Sequence, residues 1–130
     1  MVDVNSDGWN DIYICRSGNT DRASRRNLLY INNHNQTFTE KASAFGLDDA
    51  GYSTQASFFD YDKDGDLDMF LINHSIHYFP VDNQFTKLKR TADKDFGSKL
   101  YRNDDNYFTD VSEQAGIISN VISFGLGVAV

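Results

Sequence analysis

The chain alternates short apolar runs with clusters of Gly, Asn and Asp, a pattern typical of short β-strands separated by turns. Five runs are rich in β-branched, aromatic or aliphatic residues: residues 12–15, 28–32, 56–59, 69–73 and 99–102. Asn32-Asn33 and residues 103–106 provide turn material between paired strands. Residues 40–46 and 110–115 each favour a single helical turn that ends at a glycine. The pattern therefore predicts an all-β structure with two brief helical turns.

The chain also contains an internal repeat of roughly 60–70 residues. Each copy opens with an Asp-rich loop, continues into a strand, and then carries a Leu-Tyr-x-Asn block that starts at Leu29 or Leu100. The same features follow one another in the same order in both copies. The repeats divide the chain into residues 1–59 and residues 60–130, and the second part ends with the start of a third repeat.

The two copies differ by an insertion. From Asp11 to Leu29 is 18 residues, whereas from Asp68 to Leu100 is 32 residues, so the second copy carries 14 additional residues. They fall within residues 73–99. The insertion is predicted to form a loop that extends from an otherwise regular repeat.

Several short strands per copy predict one antiparallel β-propeller blade per repeat. A ring usually has about 4–8 blades, so about two blades are expected to be part of a larger propeller. Two arrangements remain open. The chain is either a piece of a longer propeller protein, which we favour, or copies of it assemble head to tail, because Gly127–Val130 resembles the sequence that precedes an acidic loop and Met1–Asp3 begins one.

Charge is concentrated in the two Asp-rich loops. The formal net charge is −7, and residues 3–11 and 60–68 together hold eight acids and one base, while the rest of the chain is balanced. Such local repulsion destabilises a compact state unless a counter-ion neutralises it. The acidic balance argues against a nucleic-acid partner, and no apolar run approaches the roughly 20 residues of a membrane span. The single cysteine, Cys15, excludes an intrachain disulfide.

The spacing within the loops predicts two Ca²⁺ sites. Acidic or amide residues occupy positions 1, 3, 5 and 9, with Gly at position 6 to allow a positive φ, and calcium prefers several such oxygen ligands. The predicted side-chain ligands are Asp3, Asn5, Asp7 and Asp11 in the first loop and Asp60, Asp62, Asp64 and Asp68 in the second. The carbonyls of Trp9 and Asp66 complete the sets. Because Asn5 is neutral, the second loop is predicted to bind more tightly.

Two alternatives compete with this interpretation. An EF-hand requires a Glu at position 12 and flanking helices, but Ile14 and Leu71 stand at that position and both lie in predicted strands. A solvated acidic turn without an ion is the other alternative. It leaves the repetition of the spacing and the concentration of charge unexplained.

The loop pattern Asp-x-Asp/Asn-x-Asp-Gly-x-x-Asp followed by a strand resembles the FG-GAP, or VCBS, repeats of integrin-like β-propellers. The segments starting at Asp60, Leu100, Phe108 and Phe124 are similar to those of bacterial VCBS proteins related to cartilage acidic protein. The resemblance implies calcium-bearing blades in an exported or cell-surface protein. The glycine usual in this family between the paired strands is absent, with Gln36 and Asn106 in its place, so those turns are expected to differ.

The sequence therefore predicts a non-catalytic, calcium-binding β-propeller segment used for adhesion, scaffolding or binding of a glycan or protein ligand. One alternative is a polysaccharide-acting enzyme module, with His74, His77 and Tyr78 near its cleft. Another is the self-assembling ring or filament subunit. The basic clusters at 22–26 and 87–94 are interpreted first as solvated loops and second as a surface for an acidic glycan or a protein partner. Asn35 and Asn73 each begin a glycosylation motif, a three-residue pattern that often arises by chance.

Overall fold

The computed structural model describes residues 1–76 and 92–120, and within them the chain folds into two antiparallel β-sheets. His77, Tyr78 and most of the insertion lie outside the described residues, as does the tail from 121 to 130. The strands are β1 (Ile12–Ile14), β2 (Leu28–Asn32), β3 (Phe38–Glu40), β4 (Ser53–Phe59), β5 (Asp68–Asn73), β6 (Lys99–Asp104) and β7 (Tyr107–Asp110). A 3₁₀ turn spans Ala23–Arg25, and a short helix α1 spans Ala42–Phe45. In the described part of the chain, no helix is long and apolar enough to cross a membrane.

The first sheet has three strands in the order β1-β2-β3. Tyr30 of β2 lies opposite Ile12 on one side and Glu40 on the other. Ahead of β1, Val2 forms an isolated antiparallel bridge with Asp11, which closes the base of the first acidic loop. The first acidic loop thus leads directly into the edge strand of this sheet.

The second sheet has four strands in the order β4-β5-β6-β7. Its last three strands follow the second acidic loop as β1, β2 and β3 follow the first. The additional strand β4 precedes the loop and pairs with β5 from Phe59↔Asp68 to Ser53↔Asn73. This all-β arrangement of small antiparallel sheets is the blade-like structure expected from the repeat.

All five predicted strands are present, but the short, mostly exposed strands β3 and β7 lie in none of the predicted runs, and two of the predicted strands are longer at their polar ends. β4 begins at Ser53, three residues before the predicted start, and a register shift falls between Ser53 and Gln55. β6 continues to Asp104, two residues beyond its predicted end. Ser53 and Asn103 in these extensions are buried because their side chains hydrogen-bond to distant parts of the chain, and a hydrophobic pattern does not reveal such strand residues.

The predicted helical turns are present. In the first, α1 ends at Gly46, whose φ is +73°, and the N–H of Leu47 donates to the carbonyl of Ala42. In the second, Ala115 N–H donates to the carbonyl of Val111, and Gly116 has a φ of +75°. Both glycines end their turns in the left-handed conformation, which is the common way for a helix to terminate.

The two sheets share one hydrophobic core. Its buried members come from both sheets and the connections beside them: Val4, Leu29, Ala42, Leu47, Met69, Leu71, Tyr101 and Phe108. Phe58 lies at the centre of an aromatic contact series, packing edge-to-face against Tyr13 of the first sheet and Phe108 of the second. A Cβ at Gly46 would meet the backbone oxygen of Phe108 at 2.5 Å, so α1 approaches β7 without room for a side chain.

A buried line of polar side chains also joins the sheets. Asn27 donates to the hydroxyl of Ser53 at 2.9 Å, and that hydroxyl donates to Asn73 at 2.9 Å. Asn73 in turn donates to the carbonyl of Gly97 at 3.0 Å. Because Asn27, Ser53 and Asn73 are almost fully buried, these bonds satisfy groups that would otherwise be costly to remove from water.

Asn73 and Gly97 lie near the two ends of the insertion, and their hydrogen bond joins those ends. We call this anchored pair of ends, with Tyr52 and Asp95 beside it, the insertion stem. Next to them, the N–H of Tyr52 donates to the carbonyl of Asp95 at 2.8 Å. The buried Arg25 guanidinium binds the Asp95 carboxylate at 3.1 Å and lies 3.9 Å above the Tyr52 ring. The chain therefore leaves and re-enters the second sheet at fixed points.

The two turns that lack the family glycine keep a left-handed backbone. Gln36 has a φ of +69° and Asn106 a φ of +67°. Asparagine tolerates this region better than most side chains, whereas a glutamine there is strained. Both turns therefore reverse the chain without the glycine, and the cost is local backbone strain, mainly at Gln36.

Replacing Gln36 with glycine is expected to stabilise the protein by about 0.5–1 kcal/mol. The relief of the left-handed strain, about 1–2 kcal/mol, exceeds the added entropy of the unfolded chain. Urea denaturation of Gln36→Gly measures the change. Lys41→Gly is the control, because Lys41 is exposed with a φ of −140° and gains no such relief. Equal effects from the two variants would contradict the strain at Gln36.

Candidate metal centre

The two acidic loops occupy equivalent places in the repeat. Loop 60–68 connects β4 to β5, and loop 3–11 precedes β1. Each turns at a glycine with positive φ, +99° at Gly65 and +88° at Gly8, where other residues would be strained. The loops are therefore built on the same backbone framework.

The last aspartate of the second loop, Asp68, is fully buried and acts as a clamp. One carboxylate oxygen, Oδ2, accepts from the N–H of Tyr61 at 2.8 Å, and the other, Oδ1, accepts from the N–H of Asn103 at 2.9 Å. The Asn103 side chain donates to the carbonyl of Leu67 at 3.2 Å. The loop is thereby fastened to itself and to the far end of β6.

The first loop has the same clamp. Asp11, also fully buried, accepts from Val4 N–H at 3.1 Å and from Asn32 N–H at 2.8 Å. The Asn32 side chain donates to the carbonyl of Asn10 at 3.2 Å. The clamp is therefore a property of the repeat. That the asparagine takes part in the clamp was not predicted from the sequence, although the asparagine is repeated in both Leu-Tyr-x-Asn blocks.

The second loop brings three of its predicted ligands together. Carboxylate oxygens of Asp60, Asp62 and Asp68 all lie within 4.8 Å of one another, and in the described part of the chain this is the one such group of acidic, His or Cys side chains. Asp64 and Asp66 are outside that group, and the Asp66 N–H donates to the Asp64 carboxylate at 3.1 Å. All the candidate metal-ligand atoms of the group are carboxylate oxygens, which are hard ligands. They suit Ca²⁺ or Mg²⁺ better than a metal that prefers thiolates.

The electrostatics of this loop favour a bound cation. Oδ1 of Asp66 is buried and has no hydrogen-bond partner in the structure. Partial burial, together with the charges of Asp64 and Asp68, raises the pKa of Asp66 to about 6. The same two kinds of cause raise the pKa of Asp62. A cation would remove the repulsion that these shifts reflect, so the residues present fit a metal ion.

The first aspartate of each loop accepts bonds from backbone N–H groups, and the first loop adds side-chain bonds of its own. The Asp3 carboxylate accepts from the N–H groups of Asp7 and Gly8, at 3.0 and 2.8 Å. Asp7 receives a bond from the Asn5 amide at 3.0 Å and lies 3.0 Å from Nε2 of His34. The hydrogen bond with His34 lowers the pKa of Asp7. The two loops thus share a framework but differ in charge, in agreement with the neutral Asn5 noted in the sequence.

The remaining candidate residues do not form a second site in the described residues. His74 follows β5, and its N–H donates to the carbonyl of Tyr52; His77 and Tyr78 lie outside those residues. The basic cluster at 22–26 forms ion pairs with nearby acids, namely Arg22 and Arg25 with Asp95 and Arg26 with Asp48. Of the glycosylation motifs, Asn35 is exposed and Asn73 is fully buried.

Fold and loops together define a repeat protein whose unit is an acidic loop clamped to a small antiparallel sheet. A family model described as FG-GAP-like repeat matches residues 3–71, from the first acidic loop through the second and into β5. The chain belongs to the FG-GAP-like repeat family. Comparison with curated proteins and with solved structures gave no match.

Asp68→Ala is expected to lower the free energy of unfolding by about 3 kcal/mol even with calcium removed, because it leaves two partly or fully buried N–H groups without an acceptor. Asp64→Ala, in the same loop but exposed, should change it by less than about 1 kcal/mol. Guanidinium denaturation in excess chelator gives both values. A loss confined to calcium-containing buffer would show that Asp68 acts only as a metal ligand.

Proposed function

We propose that this chain is a non-catalytic, calcium-stabilised β-propeller segment of an exported or cell-surface protein, where it displays a surface for a glycan or protein ligand. The observation that carries the proposal is the convergence of Asp60, Asp62 and Asp68 at the junction of β4 and β5. FG-GAP-like repeats are typical of extracellular proteins, where free calcium is available for sites of moderate affinity.

Calcium would supply positive charge and oxygen coordination at the loop. Asp60, Asp62 and Asp68 would hold it, with Asp64 and the carbonyl of Asp66 as the further predicted ligands. Asp68 is already fixed by Tyr61 and Asn103, so one ligand is in place before the ion arrives. The ion therefore needs to order only the exposed carboxylates, and its binding stabilises the connection between two adjacent strands.

A role in display follows from how firmly the sheets are held. The shared core and the buried Asn27-Ser53-Asn73 line fix the sheets, while the acidic loops, the hairpin tips and the insertion stem lie at their ends. Loops on a rigid scaffold are where binding residues concentrate. The remaining blades would come from the rest of a longer chain or from head-to-tail copies of this one.

Calcium added to chelator-treated protein is expected to raise the melting temperature. At a free calcium concentration one hundred times Kd, binding should add about 2.7 kcal/mol to the free energy of unfolding. Asp62→Asn should raise the melting temperature in chelator, because one repelling charge is removed, and should reduce the calcium-dependent rise. Glu113→Gln, an exposed acid outside both loops, is the control for charge. Calorimetry that shows the same calcium response in Asp62→Asn and wild type would contradict the site.

The second loop is expected to fill at lower calcium concentration than the first. Trp9 is the single tryptophan of the chain and lies in the first loop, so its fluorescence follows that loop alone. Isothermal calorimetry of the whole protein should detect binding before the Trp9 signal changes, because the second loop carries more negative charge. If the Trp9 fluorescence changes together with the first heat of binding, the predicted order of filling is wrong.

A further inference from the structure

Trp9 and His34 form an exposed aromatic pair on the first loop. Their ring centroids are 5.1 Å apart and their planes differ by 19°, so the rings are stacked. Half of the Trp9 surface remains accessible although His34 is stacked on it. A large apolar ring in this position contacts water on a firmly structured part of the protein.

Hydrogen bonds fix the backbone that carries both rings and also the His34 ring. The backbone N–H of Trp9 donates to Oδ1 of Asp7 at 2.9 Å, and Nε2 of the His34 ring lies 3.0 Å from Oδ2 of the same carboxylate. The backbone N–H of His34 donates to the Asn32 side chain at 2.9 Å, and Asn32 belongs to the clamp. The Trp9 ring is stacked on a histidine that is itself held in place, so a ligand has less side-chain order to impose, which lowers the entropic cost of binding.

The second repeat shows that the fold does not require this pair. Asp66 follows Gly65 where Trp9 follows Gly8, and in the corresponding hairpin Asp105 stands in the place of His34. The clamp is nevertheless the same in both repeats. One repeat forms its loop and clamp without the stacked rings, so the framework that the repeats share does not account for them.

We propose that Trp9 and His34 form a binding platform for a neutral saccharide, with the open face of Trp9 stacked on the C–H face of a pyranose ring. Aromatic rings combine a large apolar face with a partial negative charge that suits polarised C–H groups. The partly exposed Asp7 carboxylate beside the rings accepts a hydrogen bond from a sugar hydroxyl. In calcium-free protein the three carboxylates of the loop repel an acidic sugar, which favours the neutral class.

This inference rests on the proposed display role but not on calcium, and the single tryptophan makes it measurable. Chelator-treated protein would be titrated with cellohexaose, chitohexaose and mannohexaose, and with oligogalacturonate as the acidic comparison. At least one neutral oligosaccharide is expected to shift the Trp9 fluorescence with a Kd on the order of 1 mM, and oligogalacturonate is not. His34→Ala, which keeps the reporter, should weaken binding about tenfold because the stacked support is lost.

Trp9→Ala removes the reporter, so its binding is followed by saturation-transfer NMR on the oligosaccharide. It should abolish the transfer, whereas Tyr107→Ala, which removes another exposed aromatic side chain, should leave it unchanged. Circular dichroism checks that each variant is folded. Absence of binding to all three neutral probes, preference for oligogalacturonate, or undiminished binding by Trp9→Ala would each overturn the proposal. The calcium-dependent melting shift, measured on the same sample, reports separately on the proposed function.

Discussion

A buried aspartate that serves two strands at once is the interaction on which the rest of the structure depends. Asp11 and Asp68 each divide their two carboxylate oxygens between the start of the acidic loop and the asparagine near the end of a strand. A buried carboxylate is tolerable because charged hydrogen bonds replace the water that it loses. The arrangement sets the position of the loop, the hairpin tip and every side chain that they carry.

The clamp also explains why the two loops diverge in chemistry without diverging in shape. Its bonds involve backbone N–H and carbonyl groups, so the exposed loop positions are free to change. The second loop uses them for additional carboxylates. The first uses them for Asn5 and Trp9 and binds His34 from the neighbouring hairpin. A framework fixed by bonds from two repeated side chains, an aspartate and an asparagine, to the main chain thus allows an acidic centre and an aromatic surface at equivalent places.

The sequence predicts those parts of the fold that depend on local pattern. The strands around Tyr30 and Leu71, the left-handed ends at Gly46 and Gly116 and the equivalence of the loops all follow from residue types at short spacing. The polar ends of β4 and β6 do not, because the burial of Ser53 and Asn103 depends on partners many residues away, as with the Asn103 side chain and the carbonyl of Leu67, 36 residues apart. For the same reason the His34–Asp7 contact, 27 residues apart, could not be predicted, although the ligand spacing in loop 60–68 could.

The stem of the insertion has a consequence for how this fold can vary. Asn73, Arg25 and the Tyr52–Asp95 bond hold the chain where it leaves and re-enters the second sheet. The entropy of closing a loop rises only slowly with its length, so a segment anchored at both ends can be lengthened, shortened or exchanged at little cost to the blade. The stem is therefore an attachment point at which foreign peptides could be grafted and new specificities selected.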